Sequence, residues 1–359
     1  MSRVVLLLLA LLLARTACSQ AWPGEQWARE PALRSAPIAA LEAYAFAPRN
    51  DDTRNGVRTD ALLVVRDGRI VYERYAAPST ADTVHSTWSI SKSLMASVLG
   101  VAFGEGRFNL QDAAADYYHP LDPHRDIRLA DLLHWASGLK WQEDYEYAPL
   151  NSSVIAMLYT RGRRDMAAYA AARGSFARPG EVFRYSSGDS NLLSAILRNM
   201  VGAHDYPYYP WKALFEPLGI HHAVWETDAS GTFVASSYAY LTAQDLARVG
   251  LLMSRGGKWQ GRQVLPGAWV AFNRTPFGGG GLEAGQPVPG GHWWLNSSAA
   301  WPAAPTSTFA ALGHWGQALY VLPEQKLVVV RFADDRDASY SHNELLRHVL
   351  GAFGPGSAP

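Results

Sequence analysis

Strand-forming residues are concentrated at the two ends of this chain, and that placement limits the folds open to it. Near the start, two β-rich runs (61–65, Ala-Leu-Leu-Val-Val, and 69–75, Arg-Ile-Val-Tyr-Glu-Arg-Tyr) flank Asp67-Gly68, the signature of a tight hairpin. Near the end, 318–322 and the mostly apolar 327–332 flank a Pro323-Glu324 turn, and a helical pattern follows at 341–353. Between these ends, apolar residues recur three and four apart over 89–103 and over 242–255, which predicts two amphipathic helices. From about 110 to 240 the pattern is helical but broken by Pro and Gly, with helices expected at 129–135, 152–159, 165–173, 190–201 and 211–215. A short helix is expected near 38–46, and 277–291 reads as a Gly/Pro loop. The expected class is α+β (an α/β sandwich). An antiparallel sheet flanked by helices would come from about 40–103 and 240–353, with a mostly helical region inserted at about 104–239. No repeat or long linker divides the chain, so 20–359 is expected to form a single unit.

Lys+Arg and Asp+Glu both number 32, so the net charge is zero. A protein that binds nucleic-acid phosphates needs a basic excess, and none exists here. Residues 4–14 are all Leu, Val and Ala and follow Arg3. Eleven apolar residues are too few to span a bilayer, so 1–19 reads as a signal peptide and the protein as exported, periplasmic or extracellular. Small residues at Ala17 and Ser19 favour cleavage after Ser19, and cleavage after Ala21 fits nearly as well. Cys18 suits a lipoprotein signal poorly, because Arg15 stands where an aliphatic residue belongs. Cys18 is the only cysteine, so the mature chain would have no disulfide, no Cys nucleophile and no thiolate metal site. His-Glu-x-x-His and EF-hand patterns are absent, and the glycines at 278–281 lack a following Gly-Lys-Ser/Thr. Neither a metal nor another cofactor is therefore expected.

Three short motifs carry chemistry. In Ser89-Ile90-Ser91-Lys92 the serine and lysine are three apart, hence on one face of a helix. A serine needs a base to become a nucleophile, and a lysine can serve if burial lowers its pKa. At a helix start the Ser89 N–H is also free to bind an oxyanion. A second copy, Ser137-Gly138-Leu139-Lys140, contains a helix-breaking glycine, so its ends need not share a face. Tyr185-Ser186-Ser187 supplies a phenol that could shuttle a proton beside a cationic lysine. Gly313-His314-Trp315-Gly316-Gln317 leads into an apolar strand. There a glycine permits close approach of substrate, and the Gln317 N–H could be a second oxyanion donor. Trp88, Trp141, Trp293, Trp294 and Trp315 fall near these motifs, either as packing or as the wall of an acyl or alcohol pocket.

The order Ser-x-x-Lys, Tyr-x-Ser, His-x-Gly resembles the serine β-lactamase and penicillin-binding protein superfamily. It is most similar to the class C-like branch that includes esterases, D-aminopeptidases and 6-aminohexanoate-dimer hydrolases. The hairpin at 61–75, Asp131-Leu-Leu-His-Trp-Ala-Ser-Gly-Leu139, Thr242–Gly250 and the stretch from Gly257-Lys-Trp to Leu265-Pro also resemble the family. The likeness runs from about 40 to 350, with Trp135 where the family usually has His, and makes Ser137–Lys140 a structural turn. It implies a β-lactamase/transpeptidase-like fold in which Ser89 is acylated, Lys92 is its base or relay, and Tyr185 protonates the leaving group. It also implies an oxyanion hole from the Ser89 and Gln317 N–H groups; whether lysine or tyrosine takes the serine proton stays open.

Two departures bear on substrate. His314-Trp315-Gly316 stands where β-lactamases have Lys-Thr-Gly, and a histidine is mostly neutral at pH 7. Ser187 stands where the second motif usually has Asn. Both favour a small-molecule ester or amide over a penicillin or a D-alanyl peptide, although a β-lactamase, a D-alanyl-peptide hydrolase and a non-turnover penicillin-binding-like sensor remain alternatives. Asp189 reads as a helix cap or as a partner for a substrate amine.

Overall fold

A computed structural model describes residues 20–31 and 34–355. The expected signal peptide, Cys18 and the Ser19 cleavage site lie outside the described residues. The hairpin forms as expected from β1 (Thr59–Arg66) and β2 (Arg69–Tyr75). Its turn places Asp67 at φ 47° and Gly68 at φ 84°, the paired left-handed residues of a type I′ connection. A side chain at Gly68 would also run into the Ala21 carbonyl, 2.0 Å from its Cβ position.

Short pairings follow. β3 (His85–Ser86), β4 (Val224–Trp225) and β5 (Ala239–Leu241) form a small sheet in the order β3-β5-β4, and β6 (Lys258–Trp259) pairs with β7 (Arg262–Gln263). The remaining strands are β8 (Val288–Pro289), β9 (Trp294–Leu295), β10 (Phe309–Gly313), β11 (Gln317–Leu322) and β12 (Leu327–Ala333). They join the first hairpin in one seven-stranded sheet ordered β2-β1-β12-β11-β10-β9-β8. The two ends of the chain meet where β1 lies antiparallel to β12, with Leu63 opposite Val330 and Val65 opposite Val328.

Successive strand residues face opposite ways, and this sheet is apolar on both faces. Leu62, Val64, Tyr320 and Val329 pack under Leu41 of α1 (Ala36–Ala45) and the C-terminal helix His342–Phe353. Leu63, Val65, Leu319 and Val330 belong to the larger core, which holds α2 (Ile90–Gly104) and α3 (Leu129–Leu133). It also holds α4 (Ser153–Tyr159), α5 (Met166–Ala171), α6 (Ser187–Val201) and α7 (Ala243–Ser254).

Four elements depart from the sequence reading. β8 and β9 are two-residue strands without a periodic signal, and β8 lies inside the expected Gly/Pro loop. β10 reads Phe-Ala-Ala-Leu-Gly, weak in β propensity, yet is held between β9 and β11. α6 begins three residues before expectation, because the Ser186 hydroxyl accepts the Asp189 N–H at 3.0 Å and caps the helix. The segment expected as a helix at 211–215 is a π-helical turn, Trp211–Phe215.

Candidate functional site

Ser89 caps α2 with φ −67° and ψ −6°, after Trp88 turns the chain at φ 47°. α2 is buried almost all round, so its polar side chains must find partners inside the protein. The Ser91 hydroxyl meets Thr87 at 2.9 Å and Ser93 donates to the His292 carbonyl at 2.6 Å. Lys92 is 1% exposed. Its Nζ donates to Ser89 Oγ at 2.9 Å and to the Ser236 carbonyl at 2.8 Å. Burial lowers the lysine pKa to about 8, with the nearby Glu143 charge opposing the drop. At neutral pH such an amine is close to giving up its proton.

Tyr185 precedes α6, and Lys92 Nζ lies 4.9 Å from its ring centroid. The ring packs against Trp135 at 4.9 Å and Trp294 at 5.5 Å. Burial and then Glu143 push the phenol pKa up, moderated by a hydrogen bond with Ser89. Tyr185 is therefore a neutral phenol.

A cavity of about 470 Å³ opens over Ser89 and Tyr185. The segment from Glu143 to Tyr147 forms one side, and Leu312, Gly313 and His314 form the other. Among the described residues, no lysine or arginine lines it. His314 Nε2 stands 2.9 Å from Glu146 Oε1. Burial lowers the His314 pKa, against the pull of Glu146, and Tyr145 stacks on the ring at 5.0 Å.

The structure thus brings together Ser89, Lys92, Tyr185 and His314, and sends the other expected residues elsewhere. Trp315 takes φ 56°, packs edge-on against Trp88 at 5.0 Å and carries Arg336 Cζ 3.2 Å from its ring centroid, outside the Ser89 cavity. Gly316 is beside the buried Arg331–Asp335 pair, where a Cβ would come within 2.1 Å of Asp335 Oδ2. The Gln317 side chain bonds the Ala333 carbonyl at 2.6 Å and N–H at 2.9 Å, and the residue does not line the Ser89 cavity. The strand edge that faces Ser89 is instead Leu312–Gly313, because the turn at 314–316 carries the later motif residues past the cavity. Gly313 packs tightly on the segment before Ser89: a Cβ there would lie 2.5 Å from the Thr87 carbonyl and 3.2 Å from Trp88 Cβ.

Ser187 is not a substrate-facing donor. Its hydroxyl and N–H donate to Glu143 at 2.5 and 3.0 Å, and Trp141 Nε1 adds a third bond to that carboxylate at 2.5 Å. Sequence reasoning missed Glu143, the carboxylate that acts electrostatically on both Lys92 and Tyr185. Only its position three residues after Lys140, close to the Ser-Gly-Leu segment, hinted at it. In the second Ser-x-x-Lys, Ser137 is buried and donates to Asp189 at 2.8 Å while Lys140 is exposed. Asp189 is buried with its carboxyl on Ser137 and Ser186, its pKa raised by burial to about 7. It lies outside the cavity, which removes the amine-partner reading, and it stands in the first turn of a helix that Ser186 caps, so it is not the cap either. Among the described residues, no group of three or more His, Cys, Asp or Glu could hold a metal ion.

The family model described as "Beta-lactamase" matches residues 43–351. The chain belongs to the beta-lactamase family. It is 26% identical over 337 residues to a 6-aminohexanoate-dimer hydrolase from Paenarthrobacter ureafaciens, covering 88% of this chain and 82% of the relative. Among solved structures, a family VIII carboxylesterase superposes with a TM-score of 0.68 at 16% identity, over 90% of this chain and 97% of that one. A class C beta-lactamase mutant superposes with a TM-score of 0.64 at 15% identity, over 90% and 99%. This beta-lactamase-family protein therefore has the β-lactamase/transpeptidase-like fold, and its homologues are hydrolases of the serine β-lactamase family.

Proposed function

We propose that this protein is an exported serine hydrolase that cleaves an ester or small amide through an acyl-enzyme on Ser89. The observation that carries this reading is the 2.9 Å bond between Ser89 Oγ and a buried lysine whose pKa has fallen to about 8. Neutral Lys92 takes the Ser89 proton as Oγ attacks the substrate carbonyl. The resulting oxyanion is held at the start of α2 by the Ser89 N–H and by the strand edge at Leu312–Gly313. Tyr185 gives its proton to the leaving oxygen or nitrogen and is reprotonated from Lys92. Water then attacks the acyl carbonyl, losing a proton to the same pair, which returns it to Ser89 Oγ as the acid leaves and the starting state is restored. Lysine is the better base of the two, since burial lowers its pKa while raising that of the phenol.

The charges around Ser89 favour uncharged substrates. The ionisable side chains lining its cavity are carboxylates, tyrosines and a histidine whose pKa burial lowers, so a penicillin or peptide carboxylate meets no lysine or arginine on these walls. The relatives are named for both amide and ester cleavage, a 6-aminohexanoate-dimer hydrolase and a carboxylesterase. Export rests on the apolar leader at 4–14, and amino-terminal sequencing of the secreted protein tests it. For the chemistry, Ser89→Ala should abolish p-nitrophenyl ester turnover and labelling by a fluorophosphonate. Labelling that survives the change would place the nucleophile on another serine.

A further inference from the structure

Beside the Ser89 cavity lies a second chamber of about 400 Å³. The two share Tyr185, Trp294 and Leu312 as walls, so a molecule held at Ser89 can reach into both. The chamber is largely apolar: Phe183, Pro287, Val288 and Trp301 also line it beside the polar Gln286, and Leu282 stands 40% exposed at its mouth. Its wall is built rather than loose. The Phe183 N–H donates to the Gly280 carbonyl at 2.8 Å, Gly280 N–H donates to the Glu181 carbonyl at 2.8 Å, and Phe277 N–H donates to the Pro289 carbonyl at 2.8 Å. The histidine at its floor, His342, is engaged with the Tyr320 hydroxyl at 2.5 Å and is kept neutral by burial, its pKa about 4. The charged side chain on the rim, Glu283, repels anions.

We infer that this chamber binds the leaving group, and that the preferred substrates carry an uncharged, ring-sized apolar alcohol or amine. The inference rests on the acyl-enzyme reading above, in which Tyr185 protonates the leaving atom. That atom must sit at the phenol, and Tyr185 is the partition between the two spaces. The substituent on the leaving atom then passes beyond the ring into the apolar chamber, between Trp294 and Phe183. The acyl group stays on the other side, toward Tyr145 and His314. The Trp294 ring, which the sequence offered as packing or as pocket wall, serves both spaces, whereas Trp293 is fully buried in the core.

The test compares esters that differ on one side only. Benzyl and methyl acetate have leaving alcohols of similar acidity, so a difference in kcat/KM between them reports binding of the ring. The wild-type protein should prefer benzyl acetate by at least about tenfold, the scale of an apolar contact made in a fitted pocket. Methyl phenylacetate, which moves the ring to the acyl side, should show no such gain over methyl acetate. Leu282→Trp narrows the mouth and should cut the benzyl preference about fivefold or more while leaving methyl acetate within about twofold. Leu282→Ala, which cannot obstruct, should keep the preference. Equal rates for benzyl and methyl acetate, or a preference that follows the acyl ring instead, would overturn the assignment while Ser89-dependent turnover still stood. Failure of every ester together with loss of fluorophosphonate labelling would overturn the acyl-enzyme reading and this inference with it.

Discussion

Lys92 should cost the fold stability in a way that depends on pH. Its pKa falls from 10.5 to about 8 on burial, so the folded protein holds that proton less tightly than the unfolded chain does. At about 1.4 kcal/mol for each tenfold change in proton affinity, the penalty is about 3 kcal/mol. Below pH 8 both states carry the proton and the folded state bears the whole penalty. Between pH 8 and 10.5 the unfolded chain keeps the proton and the folded protein releases it, so stability rises with pH. Above 10.5 both states are neutral and the penalty is gone. Lys92→Met keeps an unbranched side chain of similar length and removes the charge. It also leaves the Ser236 carbonyl without its 2.8 Å donor, a loss of ~1–3 kcal/mol that does not vary with pH. At pH 7 the inactive variant should therefore be as stable as the wild type or up to about 2 kcal/mol more so. The decisive quantity is the difference between the two proteins across pH, in which every other titrating group cancels. Urea unfolding at intervals from pH 7 to 11 should show the wild type gaining about 3 kcal/mol on the variant. A difference flat to within about 1 kcal/mol would refute the claim that burial has lowered this amine.

The same lysine should set the acid limb of kcat/KM, with an apparent pKa near 8. Glu143→Gln removes the charge that opposes the fall, so the limb should move to lower pH; a profile that stays put would make Glu143 a merely structural group. Tyr185→Phe keeps the ring against Trp135 and Trp294 and should leave thermal stability nearly unchanged while kcat drops by about 10² or more. The loss should be larger for an alkyl ester than for a p-nitrophenyl ester, whose leaving group needs no proton, and equal losses would count against Tyr185 as the acid. Gly313→Ala sets a methyl 2.5 Å from the Thr87 carbonyl and forces the strand edge away from Ser89. Its kcat/KM should fall by about tenfold or more, and an unimpaired enzyme would mean that this edge does not hold the oxyanion.

What the sequence disclosed and what it withheld divide along the range of the interactions. The first hairpin was legible because its turn is local: Asp67-Gly68 can take the two left-handed conformations that the connection needs. The Ser89–Lys92 pair was legible because one helical turn fixes its geometry, whatever surrounds it. β8 and β9 were not, since two residues carry no period, and they become strands only through their neighbours in the sheet. Glu143 was hidden for the same reason. It meets Ser187 across a separation of 44 residues, and neither residue type announces the pairing.

In the third motif the structure places only part of the expected segment at the Ser89 cavity. Gly313-His314-Trp315-Gly316-Gln317 holds two glycines three apart, and either could be the one that approaches the nucleophile. The choice is made by the β10–β11 hairpin, whose closing pair is Gly313 with Gln317. That register spends 314–316 on the turn, where Trp315 and Gly316 both take positive φ, and so lifts them out of the cavity. It leaves Gly313 as the last strand residue, tight against Thr87 and Trp88. A register set by the turn and by the partner strand is a property of two strands at once. A motif read along one strand therefore finds the segment beside the Ser89 cavity but not which of its residues line it, whereas Ser89 and Lys92, one helical turn apart, are found together.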